Sequence, residues 1–348
     1  MRKRNFHSTW TITLFLFTTS ICAFALEEGI VKNANGDYII TFRSESGQMI
    51  QWLWEPATKI DPMVSSKFRR RSKPESLVYS YKITNGKKSA QDLGVIRFVA
   101  SNTISSTQVV PTGWDGLMKQ DWGRSSGVIV AWSFDTDGGL KPGSHQGDFS
   151  FESNDLPGVG RMELIGVAPV PSIQQILPDG PLSEDMSELS PVRQQFTDLE
   201  ANEFVPRNTA IPKIPVSTPY DGAAVLDALR AHITKDIADL KLIEPTLASE
   251  LDRALQAAAD AIRRDSIKAA REHLHDAFKL VHKAHPDLER DGWDDEGDDQ
   301  SNGKSAKVHP VDRLAARVIA FDIKYVEKRL DKSGDTSGSP GVPSPPAN

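Results

Sequence analysis

The run Tyr79-Ser80-Tyr81-Lys82-Ile83-Thr84-Asn85 decides the fold. Tyr79, Tyr81 and Ile83 alternate with Ser80 and Lys82, the two-residue period of a strand with one buried face. Asn85-Gly86 ends it with a turn. The pattern recurs downstream: Ile96 and Phe98 mark a second strand, and Val128, Val130, Trp132 and Phe134 line a third. Phe149 and Phe151 alternate on a fourth, and Met162 and Leu164 mark a fifth. Pro111-Thr112-Gly113, Gly138-Gly139, Pro142-Gly143 and Pro157-Gly158 punctuate them. Antiparallel strands need tight connections and one apolar face each, so Leu77 to Gly166 reads as a β-sandwich. Upstream, Tyr38 to Arg43 and Met49 to Trp54 flank a turn at Ser44-Glu45-Ser46-Gly47 and predict a hairpin. The sandwich domain is placed at residues 26–168.

The chain has 348 residues, 39% hydrophobic and 25% charged, ordinary for globular protein with room for two domains. Arg2, Lys3 and Arg4, then the apolar run Thr11 to Ala23, then Ala23-Phe24-Ala25 have the pattern of a secretory signal peptide, residues 1–25, cut near Ala25. The expected location is therefore secreted or periplasmic. That run is shorter than the about 20 residues a span requires, and no later segment replaces it, so no transmembrane segment is expected in the mature chain. The single cysteine, Cys22, falls within the signal, which leaves the mature chain without disulfides. Removal of Arg2, Lys3 and Arg4 takes the net charge from −6 to −9, an acidic balance that argues against nucleic-acid binding.

Nine of the 22 prolines fall between Pro169 and Pro219, so residues 169–218 read as a proline-rich linker, with a short helix allowed near Gln194 to Glu203. From Asp221 the period becomes helical. Val225, Leu229, Ile233, Ile237 and Leu240 form one stripe. Pro245 opens a second helix carrying Leu247, Leu251, Leu255, Ala258 and Ile262. Asp265 is placed to cap a third, with Ile267, Ala270, Leu274, Phe278 and Val281, which Pro286 stops. Pro310 opens a fourth with Leu314, Val318, Phe321 and Tyr325. Residues 219–330 are thus expected to form a four-helix bundle with an acidic loop at 286–308, followed by a Ser/Gly/Pro tail at 331–348 too poor in apolar residues to fold.

Two resemblances add to this. Tyr79 to Asn85, Pro111-Thr112-Gly113-Trp114, Ile129 to Ser133, and Lys141-Pro142-Gly143 leading to Phe149-Ser150-Phe151-Glu152-Ser153 resemble the immunoglobulin-like modules of bacterial exported proteins, over about residues 75–166. Leu240-Lys241-Leu242-Ile243, Leu251, Ala254-Leu255, Ala269, Leu274, Phe278, Leu314-Ala315-Ala316, Asp322, Tyr325-Val326 and Leu330 are similar to the FIMAH-type helical domain, over about 221–330. The first implies a binding or structural module. The second implies attachment to extracellular matrix or polysaccharide. Together they give the expected fold class, an immunoglobulin-like antiparallel β-sandwich followed by a four-helix bundle.

The candidate sites are few. Trp52 and Trp54 point the same way along one strand and read either as core or as a sugar-stacking platform; Trp114, beside a proline and a glycine, is the tryptophan expected at the surface. Lys67 to Lys73, with Arg69, Arg70 and Arg71, reads as a loop, either merely solvated or holding an anionic polysaccharide or lipid head group through guanidinium forks. Asp287, Glu289, Asp291, Asp295 and Asp298, with Gly292 at the sixth position, are spaced like a calcium loop, although the third and twelfth residues are of the wrong acidic type; a plain acidic insertion is the other reading. Calcium is the one cofactor considered. Of His273, His275, His282 and His285, His275 and His282 are two turns apart, and a metal between them would need a further ligand such as His232 or His309. His282 and His285 have the close spacing zinc favours, but Pro286 puts the second at a fraying helix end, so a polar helix border is the other reading. Gly123-Arg124-Ser125-Ser126-Gly127 fits the nucleophile-elbow expression but precedes a strand, where that chemistry needs the serine between a strand and a helix. The expectation is an exported non-catalytic binding or structural protein that recognises extracellular polysaccharide, matrix or another surface protein. A secreted hydrolase with an unrecognised carboxylate site, or a structural subunit of a surface assembly, are the alternatives.

Overall fold

The computed structural model describes residues 27–44, 46–71, 76–101, 104–120, 127–134, 138–168, 191–289 and 309–334. The stretch read as a signal peptide, 1–25, the stretch 169–190, most of the acidic loop and the tail from 335 lie outside them. The chain divides into two compact units, whose bounds differ from those the composition suggests.

In the first unit, β1 (Gly29–Lys32), β2 (Tyr38–Arg43) and β3 (Met49–Trp54) form an antiparallel sheet in that order. The predicted hairpin is β2–β3, with Arg43 opposite Met49, and Gly47 takes the left-handed conformation its turn demands. Period-two alternation puts Ile40, Phe42, Trp52 and Trp54 on one face, and the helix α1 (Val192–Ala201) covers it with Val192 and Phe196.

The second unit holds two antiparallel sheets. Strands β4 (Pro62–Arg70), β5 (Leu77–Asn85), β10 (His145–Ser153) and β7 (Ile104–Val109) form one in the order β4-β5-β10-β7. The other runs β12-β11-β6-β9-β8, from β12 (Val205–Ile214), β11 (Leu156–Gly166), β6 (Leu93–Ala100), β9 (Val128–Phe134) and β8 (Trp114–Gln120). Every strand the alternation picked out is present. Tyr81 and Phe151 from the first sheet meet Phe98 and Trp132 from the second with ring centroids 5.5 to 6.4 Å apart, an aromatic layer that fills the space between the sheets. Asn85 ends β5 with its amide buried, and its Nδ2 donates to the carbonyls of Gln91 (2.9 Å) and Leu140 (2.8 Å).

Two stretches differ from expectation. Lys67 to Arg70, read as loop, belong to β4, because Val64, Ser66 and Phe68 alternate inward beneath the basic residues. Residues 205–214, read as linker, form β12, which pairs with β11 from Leu164–Val205 to Leu156–Ile214. Pro206 and Pro212 fit there because β12 is an edge strand and owes no ladder hydrogen bond on its outer side.

Four α-helices follow: α2 (Gly222–Ala231), α3 (Pro245–Arg263), α4 (Ile267–Ala284) and α5 (Arg313–Gly334). Asp221 caps α2, its Oδ1 accepting from the N–H groups of Ala223 and Ala224. Pro245 occupies the first turn of α3. Asp265 does not cap α4; it sits at φ +55°, and the cap position falls to Ser266, which makes no side-chain cap hydrogen bond. These helices are not a domain of their own, since their apolar faces belong to the same hydrophobic core as the two sheets. Phe321 of α5 meets Phe68 of β4 edge-on at 4.9 Å, and the Arg317 guanidinium donates to the Ser66 carbonyl at 2.7 Å.

A π-helical turn, His232–Ile237, continues α2 and presents His232 to β11. The Val159 N–H donates to His232 Nε2 (2.9 Å), so the ring proton is on Nδ1, which faces Asp236 Oδ2 at 2.8 Å. Burial holds the His232 pKa below the ordinary imidazole value, against the opposing pull of Asp236. The unfolded chain therefore binds a proton at about pH 6.5 that the native one resists, and stability falls as pH drops from there toward the depressed native pKa. The expected result is a thermal midpoint that declines between pH 7.5 and 5 in the native protein and declines less in His232→Gln, read by calorimetry. Equal slopes in both would show that this imidazole is not the group responsible.

Candidate ligand-binding face

Alternation along β4 and β5 sends Phe68, Tyr79, Tyr81 and Ile83 inward, which obliges their neighbours to face out. The outer face of the four-stranded sheet then carries Ser65, Lys67 and Arg69 from β4 against Lys82, Ser80 and Val78 from β5. On the far side of β5, Ser150 of β10 stands opposite Ser80. A bulge between Gln146 and Phe149 interrupts β10 and lifts Gly147 and Asp148 out of register, with Asp148 at φ +66°. Ser65, Lys67, Ser80, Lys82, Gly147 and Asp148 line an open groove of about 320 Å³. Two ammonium groups and two hydroxyls thus meet one carboxylate in a chain that is acidic as a whole. Such a face offers donors and positive charge to an anionic, hydroxyl-rich ligand.

The three arginines of the basic cluster do different things. Arg69 is exposed on this outer face. Arg71 donates to Glu152 Oε1 of β10 at 2.5 Å, a half-exposed pair of the kind that stabilises by only about 0–1 kcal/mol. Arg70 turns away and lays its guanidinium over the Tyr325 ring of α5, 5.2 Å from the centroid.

None of the tryptophans proposed as a platform presents a face to solvent. Trp52 and Trp54 are 3% and 7% exposed, and Phe196 stands edge-on to both at 5.6 and 5.3 Å. Trp114, expected at the surface, is 6% exposed between Phe134 and Phe149, at 5.2 and 5.0 Å. In a chain without disulfides, large aromatics supply the buried area that packing requires.

Of the calcium-spaced acids, Asp291, Asp295 and Asp298 lie outside the described residues, as does the Glu289 side chain. Asp287 Oδ2 sits 3.9 Å from His309 Nε2, and His309 stacks on His285 at 4.4 Å. Among the described residues no group of three or more His, Cys, Asp or Glu side chains is arranged to hold a metal ion. The elbow-like serine also lies outside them; Gly127, which ends that motif, leads directly into strand β9.

No protein-family model matches this chain, the helical portion included, and no curated protein matches it. Among solved structures, an uncharacterized protein from Nocardia farcinica, whose crystal structure reveals an immunoglobulin-like fold, overlaps 43% of this chain and 97% of its own. The two are 15% identical, with a TM-score of 0.26, and an overlap at that score does not establish a shared fold. No helix among the described residues is long and apolar enough to cross a membrane.

Sequence reading found the basic residues of β4 and missed Ser65, Ser80, Lys82 and Asp148. The signal for Lys82 and Ser80 was in the alternation itself, as the polar partners of Tyr79, Tyr81 and Ile83. Nothing local marks Asp148, whose place depends on a bulge.

Proposed function

We propose that this chain is an exported, non-catalytic binding protein whose two-sheet portion, an immunoglobulin-like module, recognises an anionic extracellular polysaccharide on the outer face of its four-stranded sheet. The observation that carries the reading is the pairing of β4 with β5, which interleaves Lys67 and Lys82 with Ser65 and Ser80 around one open groove, with Arg69 further along the same face of β4. Hydroxyls and ammonium groups suit sugar hydroxyls and carboxylate or sulfate substituents, while burial of Trp52, Trp54, Trp114 and Trp132 takes these rings out of the recognition. The groove lining has a single carboxylate, Asp148, where glycoside hydrolysis needs a pair, and this favours binding over catalysis.

The test uses the mature full-length chain on immobilised heparin as a sulfated-glycan probe. Retention should fall with rising salt, as expected for surface charges screened over about 10 Å. The double variant Lys67→Glu/Lys82→Glu should bind about tenfold more weakly or worse, with its thermal midpoint unchanged. No retention of the native chain at low salt, or equal retention of the double variant, would sink the proposal.

A further inference from the structure

Helix α5 is deeply enclosed in the second unit: Ala315, Val318, Ile319, Ala320, Ile323 and Val326 are all fully buried. Asp322 lies among them with no exposed surface, and among the described residues neither carboxyl oxygen has a hydrogen-bond partner. The nearby groups are committed elsewhere. Tyr79 of β5, whose hydroxyl senses the Asp322 charge, donates instead to the Asp155 carbonyl at 2.8 Å. Asp155 is occupied in turn by the Ser101 hydroxyl and the Val216 N–H. Of the charged groups on the elements packed against α5, Arg207 of β12 faces Asp61, Lys213 of β12 faces Asp236, Glu163 of β11 faces Arg97, Arg230 of α2 faces Asp252 and Asp276 of α4 faces Lys279. His282 of α4 lies with its ring against Phe278, and His309 beside the 3-10 turn Pro286–Glu289 faces Asp287. On α5 itself, Arg317 is turned to Ser66, Lys324 to Glu327 and Arg329 to the rings of Tyr220 and Tyr325.

An ionised carboxylate in such a place would lose its hydration with nothing in return, so the seated helix must carry Asp322 as the neutral acid. Burial accordingly raises its pKa well above the carboxylate range. Through Arg317 and Phe321 the same helix covers β4, the edge strand that carries Lys67 and Arg69 on its other face. We propose that α5 is a latch on the two sheets that closes with Asp322 protonated and opens when it ionises, uncovering the edge of β4. The sign follows from linkage. The released helix has an ordinary carboxyl, so the closed state is fully favoured below about pH 3.9 and loses ground as pH rises toward the native pKa.

The experiment is amide hydrogen exchange on the full chain from pH 5 to 8, with the native protein and Asp322→Asn compared at each pH. Taking the ratio of their opening constants for α5 removes the intrinsic pH dependence of exchange and the contributions of His232 and His285. The ratio of native to variant opening should rise up to tenfold per pH unit while the amides of β5 and β6 keep their protection. A ratio independent of pH would overturn the proposal, as would α5 and the sheets opening together. Should the amide variant fold poorly, Asp322→Leu replaces it as the reference, and a flat ratio against it has the same meaning.

Discussion

Replacing Phe196 by alanine should destabilise the first unit by about 3–5 kcal/mol, the range for truncating a buried phenylalanine, and so remove most or all of its protection. A three-stranded sheet has little capacity to fold unaided, because one layer leaves its apolar face in water. Here Ile40, Phe42, Trp52 and Trp54 depend on α1 for cover, and Phe196 is the residue of that helix that touches both tryptophans. Its loss removes two edge-to-face contacts and opens a cavity beside two large rings that cannot collapse into it. Exchange mass spectrometry should show residues 27–54 losing protection while β5, β6 and β9 retain theirs. Unaltered protection at 38–54 would mean that the sheet is held by something other than this helix.

The second large effect is expected at Gly158. A Cβ there would lie 2.4 Å from Lys213 Cβ and 2.9 Å from His232 Nε2. The first is fixed close to the β12 backbone and the second belongs to a buried ring bonded at both nitrogens, so neither swings aside. Gly158→Ala must push β12 away from β11 or displace the imidazole from the Val159 N–H. Overpacking costs about 1–3 kcal/mol and an orphaned buried donor about 1–3 kcal/mol more. The expected sum, about 2–6 kcal/mol, should lower the thermal midpoint by roughly 4–24 °C. A midpoint within a degree of the native value would show that the strand and the π-turn have slack the structure does not display. Gly147, whose added Cβ meets nothing within 4 Å, is the matched control.

How much of this was legible depended on whether a residue's neighbours were near it in sequence. The strands at Tyr79, Phe98, Trp132 and Phe151 were readable because alternation is a local property, and the α3 start was readable because Pro245 fits a first turn. Strand β4 was obscured because its outward residues are the basic cluster, which drowns the inward Ser66 and Phe68. Strand β12 was obscured by prolines that are tolerated only because it lies at an edge, and edge position is a fact about partners. Trp114 looked exposed beside Pro111 and Gly113, yet Phe149, far along the chain, covers it. For the binding face, parity along β5 was enough to turn Lys82 outward, but with β4 read as loop it placed nothing beside Lys67. It could not show that they share a groove with Asp148. The apolar stripes likewise found the helices without revealing that α5 is enclosed by both sheets and helices.

The return of β12 has a consequence for the order in which the molecule is made. A ribosome delivers β11 well before β12, and the residues between them include α1, which belongs to the other unit. Until Ile214 has emerged, Leu156 to Leu164 present an unpaired apolar edge; until α5 follows, Phe68 lacks its contact with Phe321. At about 5–20 residues per second that interval lasts many seconds. The nascent sheet thus exposes a bare strand edge throughout that interval, and a fragment ending before residue 205 should aggregate where the full chain does not.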